Sequence, residues 1–459
     1  MESMNMDRNE FINRLFEKAR QKAGDAPDFA CEACFGSSDS FEVQVKNGEI
    51  YQYNVSEGGG LGFRVLLGGK MGYASTQILD EEAVDMLVDG ALENAAAVES
   101  VDRQFLFGGS DSYPELKLYE PRLDEIDAAR KIGMARELEK LTLARDARIA
   151  QVEDCALFSE RAESAIVNTL GLNVSTKGNL LGGYVSAVAR DGDKVNTGFK
   201  LFFTMNPDEI DLEKVATEAA NEALSGLDAA QAPSGVYRTL LRRDVAGSLL
   251  ATFSGLFSAD NAQRGLSRLK GREGEVIAAG CVTLMDDPHR PGSASSTPFD
   301  GEGVATAPKA VIRAGRLTTL LHNLKTAHKQ GVATTANASR PGYAAPVGVA
   351  PTNFYFEPTD AGFDDMLARL GEGLLITDLQ GMHAGANPIT GDFSLAAKGF
   401  MVKDGKICRA VNQITVAGNF YDLLMGIEAV GGDLEFRTPG ASCFGSPSLL
   451  VDKLSVAGA

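Results

Sequence analysis

Tryptophan is missing altogether, and histidine occurs only four times in 459 residues. So few imidazoles leave little room for a histidine-built metal centre or a proton relay with several members. Cysteine is sparse as well. The six, at positions 31, 34, 155, 281, 408 and 443, are too scattered for a disulfide framework and fit a reducing compartment. Basic residues are in deficit, with 44 Lys and Arg against 62 Asp and Glu, and the formal charge of −18 repels both nucleic-acid phosphate and anionic lipid. Neither nucleic acid nor membrane is therefore an expected partner. No apolar run approaches the roughly 20 residues that span a bilayer, and the opening residues Met1 to Arg8 show no apolar signal core, so the expectation is a cytoplasmic protein.

What is present is enough apolar residue, 44%, to build large cores, and a length that points to two or three domains. Asn9 to Ala23 has the spacing of an opening helix. Phe41 to Val45 and Ile50 to Val55 alternate on either side of Asn47-Gly48, the signature of a tight hairpin. A further strand follows Gly58 to Gly62 and returns through Gly68-Gly69. Helices are predicted over Asp80–Ala97, Leu123–Leu143 and Pro207–Ser225, the first two covering one face of the sheet, with strands across Ser164–Thr176 and Leu181–Thr204 between them. Periodicity lapses between about residues 225 and 236, which sets domains at 1–230 and 231–459. The second half is rich in glycine turns, at Ala314-Gly315 and Asp404-Gly405, and reads as a mixed or antiparallel β-rich domain with few helices, notably Val245–Phe257 and Phe420–Ile427. Strands grouped with strands, without sustained βαβ alternation, give an α+β fold whose N-terminal α/β domain has hairpins covered by helices.

The histidines offer little shared chemistry. His322 and His328 lie six apart, on different faces if the segment is helical, and His289 beside Asp286-Asp287 reads as a loop residue paired in the ordinary way. His383, in the glycine-rich Gly381 to Pro388 loop, occupies the kind of segment that displays functional groups. Cys31-Glu32-Ala33-Cys34 has half of a zinc or redox spacing but nothing completes it, and it reads as a loop coincidence. The glycines at 58 to 62 lack the Gly-Lys-Ser/Thr ending of a phosphate loop and read as a structural hairpin. Two turns combine acid and glycine more unusually: Phe299-Asp300-Gly301-Glu302-Gly303 and Thr390-Gly391-Asp392-Phe393. Turn construction alone accounts for Asp beside Gly. The functional reading is that Asp300, Glu302, His383 and Asp392 line one peptide cleft.

At these residues the sequence resembles the TldD/TldE (PmbA) family, also described as candidate modulators of DNA gyrase, and specifically its TldE or PmbA branch. The resemblance is carried by Phe299 to Val304, Thr334 to Arg340 with Asn353, Thr390 to Ser394, Ile414 to Phe420, Ser446 to Gly458, and the amino-terminal hairpin with Gly62-Phe63-Arg64. It implies a cytoplasmic metallopeptidase of two related subunits that degrades unstructured peptides and matures peptide substrates. In the TldD-like subunit a helix would carry a His-Glu-x-x-x-His zinc motif. Alignment through Gly247, Leu249-Leu250, Asp260 and Arg264-Gly265 puts Ala251, Thr252 and Leu256 at those positions. Alanine and leucine offer zinc no lone pair and threonine is a poor general base, so the resemblance implies a lost metal site here.

The expectation is therefore a non-catalytic TldE/PmbA-like subunit that binds no cofactor itself. It would pair with a TldD-like metallopeptidase subunit carrying the zinc, form a homodimer when alone, and help hold an unstructured peptide. Two other readings stand beside it. One is a stand-alone metallopeptidase with His383, Asp392 and Cys443 as unusual ligands; the other is a protein-binding modulator of DNA gyrase that meets a basic partner through its acidic surface.

Overall fold

The computed structural model of the chain describes residues 7–26, 28–100, 102–437 and 440–459. Long alternating segments draw the first half into one antiparallel sheet. Its strands are β1 (Ala30–Lys46), β2 (Glu49–Leu67), β3 (Lys70–Thr76), β4 (Ile149–Asn168), β5 (Asn173–Asp191) and β6 (Lys194–Thr204), in the order β3-β2-β1-β4-β5-β6. Asn47 and Gly48 turn between β1 and β2 with φ of 55° and 78°, the left-handed pair that a two-residue hairpin demands. Their amides donate to the two oxygens of Glu139 at 2.7 and 2.8 Å, so a buried carboxylate on a neighbouring helix holds the turn.

Helices α1 (Arg8–Ala23) and α2 (Glu81–Ala97) bury Phe11, Leu15 and Leu87 against Phe63, Leu61 and Ala33 of the sheet. The short α3 (Pro121–Asp124) precedes α4 (Ala128–Leu143), and with α5 (Leu212–Ser225) α4 covers Val43, Leu157 and Val185. Each fully buried Leu, Val or Phe contributes about 1.5–3 kcal/mol, which anchors the helices far more strongly than their propensity does. Aspartate caps set the starts: Asp80 accepts from Ala83 N, Asp127 from Arg130 N and Asp211 from Lys214 N. Asp127 also divides the segment expected as one helix, Leu123–Leu143, into α3 and α4. The helix expected from Pro207 begins instead as a 3-10 turn, Pro207–Glu209, before α5.

Among the described residues, the second half holds two six-stranded sheets. One is a closed ring in which β7 (Gly235–Leu241) lies between β14 (Gly373–Gln380) and β20 (Leu449–Ala457). From β14 it continues through β15 (Asp392–Lys403) to β16 (Lys406–Asn419), which closes the ring by pairing Thr415 to Ala417 with β20; β17 (Ile427–Val430) hangs on β20. The other runs β10 (Arg316–Leu317), β9 (Lys309–Arg313), β8 (Leu284–Asp286), β13 (Asn353–Phe356), β19 (Cys443–Ser446) and β18 (Glu435–Phe436); a two-strand ladder, β11 (Ala338–Ser339) with β12 (Gly348–Val349), stands apart. Helix α6 (Arg243–Phe253) drives Leu249, Leu250 and Phe253 into the core shared by ring and sheet, where Phe253 stacks on Phe420 with centroids 4.8 Å apart. The helices expected at Val245 and Phe420 are α6, prolonged by a 3-10 turn Ser254–Phe257, and α11 (Phe420–Met425). The others in this half are α7 (Ala259–Gln263), α8 (Leu324–Gln330), α9 (Phe363–Leu370) and α10 (Met382–Gly385).

Three local expectations are corrected. Cys31 and Cys34 lie in β1, not in a loop; three residues apart on a strand, they face opposite sides, Cys31 toward α1 and α2 and Cys34 toward Phe299. His322 precedes α8, whose cap is Asn323, so only His328 is helical and helical phase does not relate the two. The run Gly58 to Gly62 forms no hairpin but continues β2, and its missing side chains admit a loop from the second half. A Cβ at Gly60 would lie 2.5 Å from the Tyr343 ring, and one at Gly62 1.7 Å from the Tyr343 carbonyl oxygen.

Candidate functional site

The glycine bed brings the loop Arg340-Pro341-Gly342-Tyr343 against the sheet and thereby builds a buried charge cluster from both halves. Glu32, fully buried on β1, accepts from Arg64 Nε at 2.8 Å and from Arg340 Nη2 at 2.9 Å, both on Oε1. Its Oε2 receives Asn168 Nδ2 at 3.3 Å. Burial opposes the charge on Glu32, but the two guanidiniums together, Arg64 ahead of Arg340, outweigh it and hold the carboxyl below the usual carboxylate range. Arg64 Nη2 and Arg340 Nε are buried without an acceptor among the described residues.

Asp300 and Glu302 lie beside this cluster. Asp300 Oδ1 accepts from the amides of Glu302 and Val304, and Oδ2 from Ala338 N at 3.0 Å. Glu302 Oε2 accepts from Leu324 N at 2.9 Å. Burial pushes the Asp300 carboxyl up to about 6 and the Glu302 carboxyl up to about 7, with the charge of Asp300 adding to the rise at Glu302. Their hydrogen bonds stitch the 299–304 turn together and tie it to β11 and to the start of α8. His383 sits exposed on α10. Asp392, exposed at the start of β15, accepts from Asn419 Nδ2 at 2.7 Å, and that bond holds its carboxyl low.

A cavity of about 630 Å³ opens between the sheet of the first half and the loops of the second, walled by Ser37, Ser38, Glu160, Ser295, Asn337 and Arg340 among others. Asp300 lies on its wall; Glu302, His383 and Asp392 do not, so the four carboxylate and imidazole groups expected in one cleft are not gathered there. The Glu32, Arg64 and Arg340 cluster was not foreseen. The signal for it is slight: Arg340 ends the Thr334 to Arg340 stretch and is followed by the turn dipeptide Pro341-Gly342, while Glu32 is hidden inside the Cys31 to Cys34 spacing. Also unforeseen is a second buried network, in which fully buried Asp286 accepts from Thr352 N and Oγ1, Asn337 Nδ2 and Lys309 Nζ at 2.7 to 3.0 Å.

On α6 the chemistry is plain. Thr252 Oγ1 donates to Ser248 O at 2.9 Å, Ala251 presents a methyl group, and Leu256 is buried in the 3-10 turn that follows. Cys443 is buried with its thiol donating to Arg437 O at 3.1 Å, and burial pushes that thiol up to about 11. Among the described residues no three His, Cys, Asp or Glu side chains converge as a metal would require. The residues at these positions do not fit a zinc ion.

Models of the PmbA/TldA metallopeptidase family match this chain in three stretches: domain 1 over residues 31–95, the central domain over 121–227 and the C-terminal domain over 234–458. The chain belongs to this family. Its PmbA/TldA relatives include the metalloprotease PmbA of Escherichia coli O157:H7, 28% identical over 96% of this chain and 97% of that protein, and a metalloprotease PmbA homologue of Haemophilus influenzae, 27% identical over 95% and 93%. Among solved structures, a Thermotoga maritima protein described as a candidate modulator of a DNA gyrase is 34% identical and superposes with a TM-score of 0.89 over 98% of this chain and all of that one. TldE of Thermococcus kodakarensis shares the fold, with a TM-score of 0.87 at 22% identity over 98% of this chain and all of its own. The mixed α+β architecture is thus that of the family.

Proposed function

We propose that this chain is the non-catalytic, TldE/PmbA-type subunit of a cytoplasmic heteromeric metallopeptidase, and that it forms part of the wall around an unstructured peptide while a TldD-like partner supplies zinc and cleavage. The observation that carries the reading is the chemistry of α6. A methyl group, a hydroxyl already committed to Ser248 O and a core isobutyl group stand at Ala251, Thr252 and Leu256, where a metal-binding helix needs two imidazoles and a carboxylate.

A second feature supports the peptide-wall role. Beyond the end of β3, residues 49–58 of β2 pair, among the described residues, only with β1, and all ten are exposed. The outer edge of β2 there presents free main-chain donors and acceptors, with no lysine or proline between Ile50 and Ser56 to discourage pairing. An extended peptide added to such an edge is held through its backbone, so recognition is largely independent of its sequence. The six free thiols suit a reducing, cytoplasmic compartment.

The test is the metal stoichiometry of the purified chain after equilibration with zinc and removal of loosely held ions. The reading expects far less than one zinc per chain, unaffected by Cys443→Ser. One tightly held zinc per chain, lost in His383→Ala or Cys443→Ser, would replace it with the stand-alone peptidase.

A further inference from the structure

We propose that the cavity between the two halves is a carboxylate-binding site anchored by Arg340, and that it takes the free acid end of a polar ligand, either a peptide C-terminus or a small organic acid. Among the described residues that wall the cavity, Arg340 is the one cationic side chain, and its side chain is only 6% exposed. A guanidinium carries five N–H donors. Arg340 commits one of them, through Nη2, to Glu32; its Nε is buried without an acceptor, and its Nη1 has no partner among the described residues. Nε, desolvated and unpaired, costs about 1–3 kcal/mol, whereas Nη1 is not enclosed and its donors stay open to a ligand.

The surrounding charges leave this demand unmet. Glu32 is already shared with Arg64, on the same oxygen that Arg340 uses. Asp300, on the cavity wall, has its oxygens occupied by three main-chain amides, and Glu302 lies off the wall, bonded to Leu324 N. Burial raises the Glu302 carboxyl to about 7, so at neutral pH a large part of it is protonated and its claim on the guanidinium is weaker. Glu160, on β4 at the cavity wall, disfavours anions there and directs an acid group toward Arg340; Glu163, three residues on, faces away and pairs with Lys177 at 3.5 Å. The rest of the lining is rich in hydroxyl and amide groups, including Ser295, Thr297 and Asn337, as suits a polar ligand rather than a hydrocarbon. Arginine is the side chain best matched to a carboxylate, because its fork can bond both oxygens at once.

Position is fixed in advance. The Tyr343 loop is seated on Gly36, Gly60 and Gly62, and a Cβ at Gly301 would lie 3.1 Å from Arg340 N, so close does that turn run to the loop. The guanidinium is thus held by both halves before any ligand arrives. Only the choice of a peptide as the carrier of the acid rests on the peptide-wall reading above; the anchor rests on the geometry.

The test is calorimetric titration of the full chain at neutral pH and low salt with three probes: N-acetyl-Ser-Gly-Ser with a free carboxylate, the same peptide as its C-terminal amide, and acetate. Saturable binding of the acid, at least tenfold tighter than the amide, is expected, and Arg340→Gln should abolish the difference. Ala162→Trp, on the exposed sheet wall of the cavity, should weaken the acid at least tenfold while leaving the melting temperature unchanged. Acetate binding that is as tight as the tripeptide's assigns the site to small acids; tighter tripeptide binding assigns it to peptide ends. Equal binding of acid and amide, or no saturable binding of any probe, overturns the proposal, and because this comparison uses the unsubstituted chain it does not depend on whether Arg340→Gln folds. Failure here with partner-dependent peptide cleavage intact removes the anchor and leaves the subunit reading. Acid-selective binding without any partner-dependent cleavage does the reverse.

Discussion

Gly62→Ala should separate the halves of this protein more than any neighbouring change in the same strand. The added Cβ would lie 1.7 Å from the carbonyl oxygen of Tyr343 and 2.7 Å from its carbonyl carbon, both main-chain atoms that no rotamer change can move. Restoring an ordinary contact of 3.4 Å requires the loop to retreat by 3.4 − 1.7, or about 1.7 Å. A retreat of that size acts on Arg340, three residues away, whose bond to Glu32 is 2.9 Å long. Overpacking of this kind costs about 1–3 kcal/mol, and breaking a buried ion pair costs about 3–5 kcal/mol if the whole bond is lost. Partial relaxation leaves an expected loss of about 2–4 kcal/mol. Gly58→Ala is the control: nothing stands within 4 Å of its Cβ, so it should stay within about 0.5 kcal/mol of the parent. Because a chain of this size need not unfold in one step, the assay is a side-by-side comparison of melting temperature and urea midpoint, with chymotryptic cleavage after Tyr343 as a local readout of the 340–344 loop. Tyr343→Ala should not rescue Gly62→Ala, since the clash is with backbone. If Gly62→Ala melts with the parent, or Gly58→Ala falls as far, the docking role of the glycine run is refuted.

The raised carboxyls give a pH prediction: Glu302 and Asp300 bind protons more tightly folded than unfolded, so their contribution to stability is present near pH 4 and is lost as pH rises toward 7. Glu302→Gln should therefore shrink the fall in melting temperature between pH 5 and pH 8, and an unchanged slope would contradict the assignment. Lys309→Met strips one partner from fully buried Asp286 and should cost about 3–5 kcal/mol, whereas a loss under about 1 kcal/mol would mean that Thr352 and Asn337 suffice to hold the charge. A thiol reagent should titrate Cys281 and Cys408 quickly and Cys31, Cys34, Cys155 and Cys443 only after unfolding, as their burial requires; rapid loss of more than two thiols would contradict the placement of the other four.

Local chemistry made much of the fold legible. The Asn47-Gly48 turn, the helix that starts at Asp80 and the Asp404-Gly405 turn are each determined within a few residues, and each appears where the sequence points. What the sequence concealed depends on partners far along the chain. Glycines at 58 to 62 look like a hairpin until Tyr343 is seen to occupy the space above them. Cys31 and Cys34 look like a loop pair until Leu61 and Phe63 on one side, and Phe299 on the other, identify β1 as a strand with two buried faces. The candidate site divides along the same line. Asp300, which bonds the amides of Glu302 and Val304, does the turn work its glycine neighbours imply. Arg340 carries only a slight local mark of its role, the Pro341-Gly342 turn that follows it, because the carboxylate it meets lies 308 residues earlier.

If this chain supports cleavage without performing it, hydrolysis of an unstructured peptide should separate three samples: the purified, zinc-supplied chain alone, a TldD-like partner alone, and the two together. No cleavage by this chain alone is expected, with turnover by the pair above that of the partner alone. Chelator-sensitive cleavage by this chain alone would contradict it.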